Sequence, residues 1–432
     1  MNRALMIVGV AITAVIILGL ALVGVLYLTR GTPVSHIRSP DGDFPAVEDS
    51  MFPAVAELLG RLTLVEGNHL ELMTNGDETY PRLWEDLRSA RRSITLQMYY
   101  CRPGQVADTL RTILIERAAA GVRVLFLFDA FGSQDLPEEY FDALRAGGVE
   151  VVAFRPVHWY KVDKVSHRSH IRVVVVDGAI GYTGGFGIDD KWLGDGRTEG
   201  QWRDTNARFR GPVVHQLQAT FVAGWAEATG DLLVGSVFFP EEESESRDGR
   251  HRASLMHAAP TIGSTAAERF LALSIASARR TLYISNSYFV PDDDFREMLE
   301  GAARRGVDVR LLTASEKTDV KTAWYAGRSR YERLLEAGVR IYEYQPTMMH
   351  AKTFVVDGLW SCVGTMNFDT RSLAFNDETN LVALDGEFGA RMDSVFLADL
   401  ELSREITLEE FRRRSWTMKV RERAAASVAR FL

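Results

Sequence analysis

Two histidines with similar surroundings lie 180 positions apart in this chain of 432 residues. The downstream copy, M-H-A-K-T-F-V-V-D-G, contains His350 and Lys352, and the upstream copy, S-H-I-R-V-V-V-V-D-G, contains His170 and Arg172. A neutral imidazole beside a fixed cation suits attack on a phosphate, or protonation around it. A lone His-x-Lys pair is more typical of a core histidine beside a snorkelling lysine. The second copy favours the functional interpretation.

Each histidine precedes a short β-branched run that ends at Asp-Gly, which predicts a buried strand closed by a turn. Residues two apart on a strand share a face, so His350 and Lys352 should point the same way. Asp357 should then lie past the strand end, and Asn367 on the next returning segment. The upstream copy has Asp177 in the place of Asp357, but Gly187 in the place of Asn367.

These motifs resemble those of the phospholipase D superfamily, in which His-x-Lys is followed after four residues by Asp. Further matches are W-R-D-T at 202–205, G-T-M-N-F-D at 364–369 and R-S-L-A-F-N-D-E-T-N at 371–380. Within the superfamily, the surroundings are most similar to the bacterial cardiolipin synthase branch. The resemblance covers residues 65–400.

The resemblance implies a double displacement through a phosphohistidine, with no metal and no other cofactor. His170 would be the nucleophile, and His350 the general acid and then the general base. The other implied site residues surround these two rings: Lys352, Arg172 and Asn367 as phosphate ligands, Asp204 and Glu378 as acids that orient the imidazoles, and Asp177 and Asp357 as motif carboxylates that position the strand ends.

The upstream motif departs from the family pattern at two positions, and this leaves alternatives open. Arg172 keeps the charge of lysine but has a planar fork of donors, while Gly187 removes a donor. Either Arg172 supplies the lost donors bidentately, or the upstream half is a degraded site with little activity. Metal ligation by His167, His170 and Asp177 is a further alternative, although these residues lack the spacing of a usual ligand set.

A strand–helix–strand unit recurs in the two halves of the chain. The predicted elements are strands at 93–100, 122–128, 281–289 and 307–313, with helices at 106–120 and 295–305. This alternation predicts an α/β fold of two similar lobes, each a mixed, largely parallel sheet flanked by helices. A pseudo-twofold axis between the lobes would bring the two histidines to one cleft.

The predicted organisation has six parts: a transmembrane anchor at 1–30, a linker at 31–64, an N-terminal lobe at 65–235, an inter-lobe loop at 236–262, a C-terminal lobe at 263–400 and a basic helix at 401–432. The anchor contains 25 residues without a charge, more than the roughly 20 that span a bilayer and longer than a signal-peptide core. Arg3 before it, and Arg30 and Arg38 after it, lean towards a single-pass inner-membrane protein with a cytoplasmic catalytic part.

Two segments outside the motifs have two interpretations each. The charged stretch inside the inter-lobe loop is typical of a solvated loop, with regulation as the alternative. The C-terminal helix carries basic and apolar residues, so it could lie on an anionic membrane or pack on the second lobe.

Composition limits the function further. A net charge of −8 and a pI near 5.7 argue against a nucleic-acid partner and against a nuclease. The two cysteines, Cys101 and Cys362, fall in predicted strands and are expected to be buried thiols.

The membrane anchor and the resemblance together predict a phosphatidyltransferase with phospholipid and membrane as partners. The implied reaction joins two phosphatidylglycerol molecules into cardiolipin and releases glycerol. A hydrolytic phospholipase D and a catalytically weak lipid-binding protein are the alternatives, and the oligomeric state stays open.

Overall fold

The computed structural model describes residues 2–28, 44–156, 168–241, 249–259 and 265–428. His167, residues 31–43 of the predicted linker and parts of the predicted inter-lobe loop therefore lie outside the described residues. The strands are β1 (Val65–Gly67), β2 (His69–Thr74), β3 (Ser93–Met98), β4 (Arg123–Asp129), β5 (Glu150–Phe154), β6 (Arg172–Val176), β7 (Ile180–Gly184), β8 (Trp202–Arg203), β9 (Thr205–Arg210), β10 (Gly249–Ala258), β11 (Thr281–Asn286), β12 (Asp308–Ala314), β13 (Arg340–Tyr344), β14 (Met348–Met349), β15 (Lys352–Val356), β16 (Trp360–Gly364), β17 (Glu378–Leu384) and β18 (Ser403–Ile406).

The helices flank these strands, and a 3₁₀ turn at Asp190–Trp192 adds to them. They are α1 (Asn2–Leu28), α2 (Phe52–Gly60), α3 (Asn75–Ser89), α4 (Gln105–Ala119), α5 (Glu138–Ala146), α6 (Val213–Thr229), α7 (Ala266–Ser277), α8 (Asp293–Arg304), α9 (Lys321–Glu336), α10 (Thr370–Ala374), α11 (Gly386–Glu401), α12 (Leu408–Arg412) and α13 (Trp416–Val428).

The two lobes repeat one sheet topology, as the sequence repeat predicted. The N-terminal sheet has the order β2-β9-β7-β6-β3-β4-β5, and the C-terminal sheet the order β1-β10-β17-β16-β15-β11-β12-β13-β18. Each histidine motif leads into the equivalent strand, β6 in one lobe and β15 in the other. The predicted α/β fold with two similar lobes is confirmed.

Strand direction differs from the prediction of largely parallel sheets, which was wrong. Within the two large sheets, parallel pairing is confined to β3-β4-β5 and to β11-β12-β13, and the other pairings are antiparallel. The physical reason is the Asp-Gly turn after each motif strand, which sends the chain straight back as a hairpin. Only the helical crossovers of the recurring unit enforce parallel neighbours.

The C-terminal lobe recruits segments that were assigned elsewhere. Helix α2, from the predicted linker, packs Phe52 edge-on against Trp360 at 5.0 Å between ring centroids. The predicted inter-lobe loop contains β10, which lies between β1 and β17. The predicted C-terminal basic helix is instead β18, which pairs with β13, followed by α12 and α13. These segments pair with strands distant in sequence, which local patterns do not show.

The lobes share a buried apolar cluster between their sheets. Val175 and Ala207 contribute from β6 and β9, and Val363 and Leu381 from β16 and β17. Because apolar burial of this kind fixes one sheet against the other, it sets the relative position of the two histidine motifs.

Helix α1 stands apart from this core. Its span Met6–Val25 is long and apolar enough to cross a membrane, with a mean hydropathy of 2.9 and none of it buried. The anchor prediction is thus consistent with the one such helix among the described residues.

Candidate active site

Each of the two motif histidines lies just before its strand and is bound by a backbone hydrogen bond to the other lobe. The His170 N–H donates to the Asp377 carbonyl at 2.9 Å, and the His350 N–H donates to the Arg203 carbonyl at 2.7 Å. Strand β14, which precedes His350, pairs in parallel with β8 of the N-terminal lobe. The two histidine positions are thus fixed by contacts across the lobe interface.

Each histidine ring is contacted by a carboxyl group from the opposite lobe. Glu378 of the C-terminal lobe lies 3.0 and 3.1 Å from His170 Nδ1. Asp204 of the N-terminal lobe lies 2.7 Å from His350 Nδ1. Both carboxyl groups are fully buried. Neither lobe alone therefore contains a complete histidine–carboxylate pair.

Both histidines line one cavity of about 330 Å³. The wall combines polar groups such as Arg172 and Asn367 with the aromatic rings of Tyr99, Trp202 and Tyr288. The expectation that the two lobes close on a shared cleft is met, because the rings open into the same space.

Burial lowers the pKa of both imidazoles. Desolvation, reinforced by Arg172 and Lys352, lowers the pKa of His170 well below its usual range. Desolvation and Lys352 lower the pKa of His350 to about 3, against the opposing charge of Asp204. A neutral imidazole has one nitrogen lone pair available for attack or proton uptake.

The two carboxyl partners differ in charge. Burial alone raises the pKa of Asp204, but His350, Lys352 and the Trp192 N–H together lower it to about 2. Burial raises the pKa of Glu378 to about 8 in spite of its hydrogen bond from Thr365. At neutral pH, His350 therefore faces an ionised partner, and His170 faces a largely protonated one.

Lys352 lies beneath the cavity wall and connects to Asn367. Its ammonium donates to the His350 carbonyl at 2.6 Å and to Ser287 Oγ at 2.8 Å, and Ser287 donates to Asn367 Oδ1 at 3.0 Å. Because Asn367 Oδ1 accepts this bond, its amide N–H groups can donate to a ligand. Ser287 belongs to no recognisable motif, so the sequence did not identify it as a site residue.

Arg172 contacts the ring that it accompanies. Its Nη1 lies 3.1 Å from His170 Nε2 and 3.0 Å from the His170 carbonyl. Because a guanidinium only donates, the Nε2 of His170 must carry the lone pair and Nδ1 the proton. Nothing among the described residues accepts from the buried Arg172 Nε, so this donor is without a hydrogen-bond partner there.

Trp192 explains the glycine in the upstream motif. A Cβ at position 187 would meet the Trp192 ring at 2.6 Å, so an asparagine does not fit there. The indole Nε1 donates to Asp204 at 2.8 Å instead. The space of the missing donor is thus used to hold the carboxylate of the other half-site. Both alternatives for the upstream half, donors supplied by Arg172 or a degraded site with little activity, stay predictions.

The motif aspartates lie at the far ends of their strands from the histidines. Asp177 accepts the backbone N–H groups of 91–93, and Asp357 those of 279–281. Both have left-handed backbone, with φ of 55° and 54°. This geometry is that of a turn that fixes the strand end, as the resemblance implied.

The metal alternative for the upstream motif finds no support in the described part of the chain. No group of three His, Cys, Asp or Glu side chains there comes together as a metal site. Asp177 and His170 are separated by the length of β6, and His167 lies outside the described residues.

Comparisons with known proteins agree with this geometry. The family model "Cardiolipin synthase, PLD-like domain" matches residues 83–225 and 271–400, one match in each lobe. The chain belongs to this family. A cardiolipin synthase of Geobacillus sp. (strain WCH70) is 36% identical over 379 residues, 88% of this chain and 74% of that one. Cardiolipin synthase 2 of Bacillus anthracis is 36% identical over 363 residues, 83% of this chain and 70% of that one.

A solved structure supports the fold of this phospholipase D-like chain. The phosphatidylserine synthase of Haemophilus influenzae Rd KW20 superposes with a TM-score of 0.66 at 13% identity, covering 89% of this chain and 100% of that one. At this identity the likeness concerns the fold alone. Together with α1, family membership indicates a membrane-anchored protein.

Proposed function

We propose that this protein is a membrane-anchored phosphatidyltransferase that makes cardiolipin and glycerol from two phosphatidylglycerol molecules. The observation that carries the proposal is the pair of histidines from two lobes that open into one cavity, each held by a carboxyl group of the opposite lobe. Two imidazoles on opposite sides of one phosphorus suffice for a double displacement. The related cardiolipin synthases support this choice of substrate and product.

In the first step, the phosphate of one phosphatidylglycerol binds between the rings. Arg172 releases His170 Nε2 and donates to phosphate oxygens, while Asn367 and the buried Lys352 stabilise the remaining negative charge. The His170 Nε2 lone pair forms a bond to phosphorus as the bond to the glycerol oxygen breaks. His350, which holds a proton once the anionic phosphodiester is bound beside it, gives this proton to the departing oxygen. Free glycerol leaves, and a phosphatidyl-histidine remains.

In the second step, His350 acts as the base. Now neutral, it takes the proton from a headgroup hydroxyl of the second phosphatidylglycerol. The oxygen of that hydroxyl attacks phosphorus, the bond to His170 breaks, and cardiolipin leaves. His350 is again protonated, so the cycle closes without net proton uptake.

The unequal carboxyl partners support this assignment of roles. Ionised Asp204 stabilises a proton on His350, and the bound phosphodiester adds further negative charge beside it. Protonated Glu378 gives His170 no such stabilisation, so its lone pair stays available for attack. The general acid and the nucleophile are thus distinguished by their neighbours.

The orientation of the anchor completes the proposal. A single crossing with the catalytic part on the cytoplasmic side agrees with Arg30 and Arg38 following the apolar segment and only Arg3 preceding it. Protease added to spheroplasts should leave the catalytic part intact. Cleavage of the catalytic part without lysis would show that it lies on the outer side of the membrane.

Lipid analysis of cells tests the reaction. In a host without its own cardiolipin synthases, the wild-type chain should produce cardiolipin, and His350→Ala should lower production by about 10²–10⁴-fold because the proton transfer is lost. Lys419→Met, on the distant helix α13, is the matched control. Equal cardiolipin in wild type and His350→Ala would contradict the proposal, and release of phosphatidic acid with water as acceptor would make the protein a hydrolase.

A further inference from the structure

The ammonium group of Lys191 is bound against three aromatic rings that also line the cavity of the two histidines. Lys191 Nζ lies 3.9 Å from the ring centroid of Tyr100 and 3.8 Å from that of Trp202. A third ring, Trp192, is 5.0 Å away. All three rings line the cavity that contains the two histidines. Contact distances of this kind are typical of cation–π binding.

Two carboxylates complete the surroundings of this ammonium. Asp189 Oδ2 lies 3.6 Å from Lys191 Nζ, and Asp319, which lines the cavity, stabilises its positive charge. The Lys191 side chain is only 17% exposed, so its charge depends on these rings and carboxylates. The other cation near Tyr100 is Arg102, which is paired with Asp135 at 2.8 Å.

We propose that Tyr100, Trp192 and Trp202 form an ammonium-binding site, and that Lys191 occupies it to exclude amine-bearing headgroups and alcohols from the reaction. Lys191 is thereby a specificity-determining residue. The inference rests on the proposed transfer reaction for its consequence in catalysis. The binding site itself can be tested without that reaction.

Occupancy and charge act together in this exclusion. An aminoalcohol in the cavity finds the aromatic faces filled, and its ammonium meets the like charge of Lys191 in a poorly solvated space. A glycerol headgroup has no charge to place there and meets neither penalty. Removal of the lysine side chain leaves the rings with Asp189 and Asp319, which together match the chemistry that binds an alkylammonium ion.

Headgroup exchange measures the selectivity. The full-length protein in detergent is incubated with phosphatidylglycerol as donor and with either labelled glycerol or labelled ethanolamine as acceptor. Lys191→Ala should raise the ratio of ethanolamine to glycerol transfer by about tenfold or more, because the site becomes free for an ammonium. Lys191→Arg should keep the wild-type ratio, since it retains charge and bulk. Lys317→Met, which removes a lysine outside this wall, is the matched control.

A direct binding measurement tests the ammonium site without the transfer reaction. Tetramethylammonium is titrated against tryptophan fluorescence, and Lys191→Ala should bind it at least about fivefold more tightly than wild type. Lys191→Met separates bulk from charge, because it fills the space without repelling a cation and should give an intermediate affinity.

The outcomes separate the two proposals. Failure of the wild type to transfer to glycerol would contradict the proposed function, and the titration would still decide the binding site. Equal tetramethylammonium affinity in wild type and Lys191→Ala would overturn the inference. An ethanolamine-to-glycerol ratio in wild type as high as in Lys191→Ala would overturn it as well.

Discussion

The residues around the two histidines show that equivalent positions in a repeated fold can make different contacts. Lys352 accompanies His350 without contacting its ring nitrogens, while Arg172 donates to His170 Nε2. The histidines and Asp204 could be predicted because they lie in recognisable motifs. Trp192 could not, since it enters the site from a loop between motifs and its role depends on the space that Gly187 leaves.

The charge of Lys352 predicts a pH dependence. Burial, with a contribution from Arg172, lowers the pKa of this ammonium to about 7. Phosphate binding needs the protonated form, so kcat/KM, which reports the free enzyme, should fall as the pH rises through about 7. Initial rates at low substrate between pH 5.5 and 9 measure this.

A Lys352→Arg variant supplies the control, because a guanidinium keeps its charge throughout this range. Its residual kcat/KM should lack the fall near pH 7. If kcat/KM of that variant still falls near pH 7, another group causes the fall, and Glu378 is the next one to test.

The strands and their turns position the site. Most boundaries of the βαβ units were predicted to within a few residues, because apolar runs closed by glycine define them locally. The return of the chain after the Asp-Gly turn was expected, but its consequence, sheets in which most neighbouring strands are antiparallel, was not. The carboxylates of these turns also bind the start of the neighbouring strands β3 and β11, which fixes the register at the end opposite the histidines.

Replacement of Asp357 should therefore lower stability more than chemistry. Asp357→Ala removes the acceptor of three backbone N–H groups and leaves a non-glycine residue at positive φ. We expect a loss of about 2–4 kcal/mol in the free energy of unfolding, measured by urea denaturation.

The neighbouring Asp308→Ala is the control for that measurement. Its carboxylate forms a partly exposed ion pair with Arg310, so its removal should cost no more than about 1 kcal/mol. Turnover per folded molecule of Asp357→Ala should stay within about threefold of wild type, and a far larger loss would place Asp357 in the chemistry.

At the scale of the whole molecule, the site exists only where the lobes meet. The repeat of 180 residues predicted this arrangement, because two half-sites become useful when a pseudo-twofold axis joins them. The exchange of Glu378 and Asp204 between lobes could not be predicted, since the linear order of motifs does not specify which lobe supplies each acid. Residues 44–67 and 403–406 likewise join the C-terminal lobe through packing and strand pairing with segments distant in sequence.

Helix α1 should contribute to location and not to folding, because none of Met6–Val25 is buried against the rest of the protein. Removal of residues 1–40 keeps Phe52 and the rest of α2 in the core, so the free energy of unfolding should change by less than about 0.5 kcal/mol. Transfer in mixed micelles should persist, while transfer on phosphatidylglycerol vesicles should fall at least about tenfold, since the apolar helix no longer holds the enzyme at the surface. A histidine tag bound to nickel-chelating lipid should restore vesicle activity in the truncated protein. Loss of micellar activity would instead show that α1 belongs to the catalytic structure.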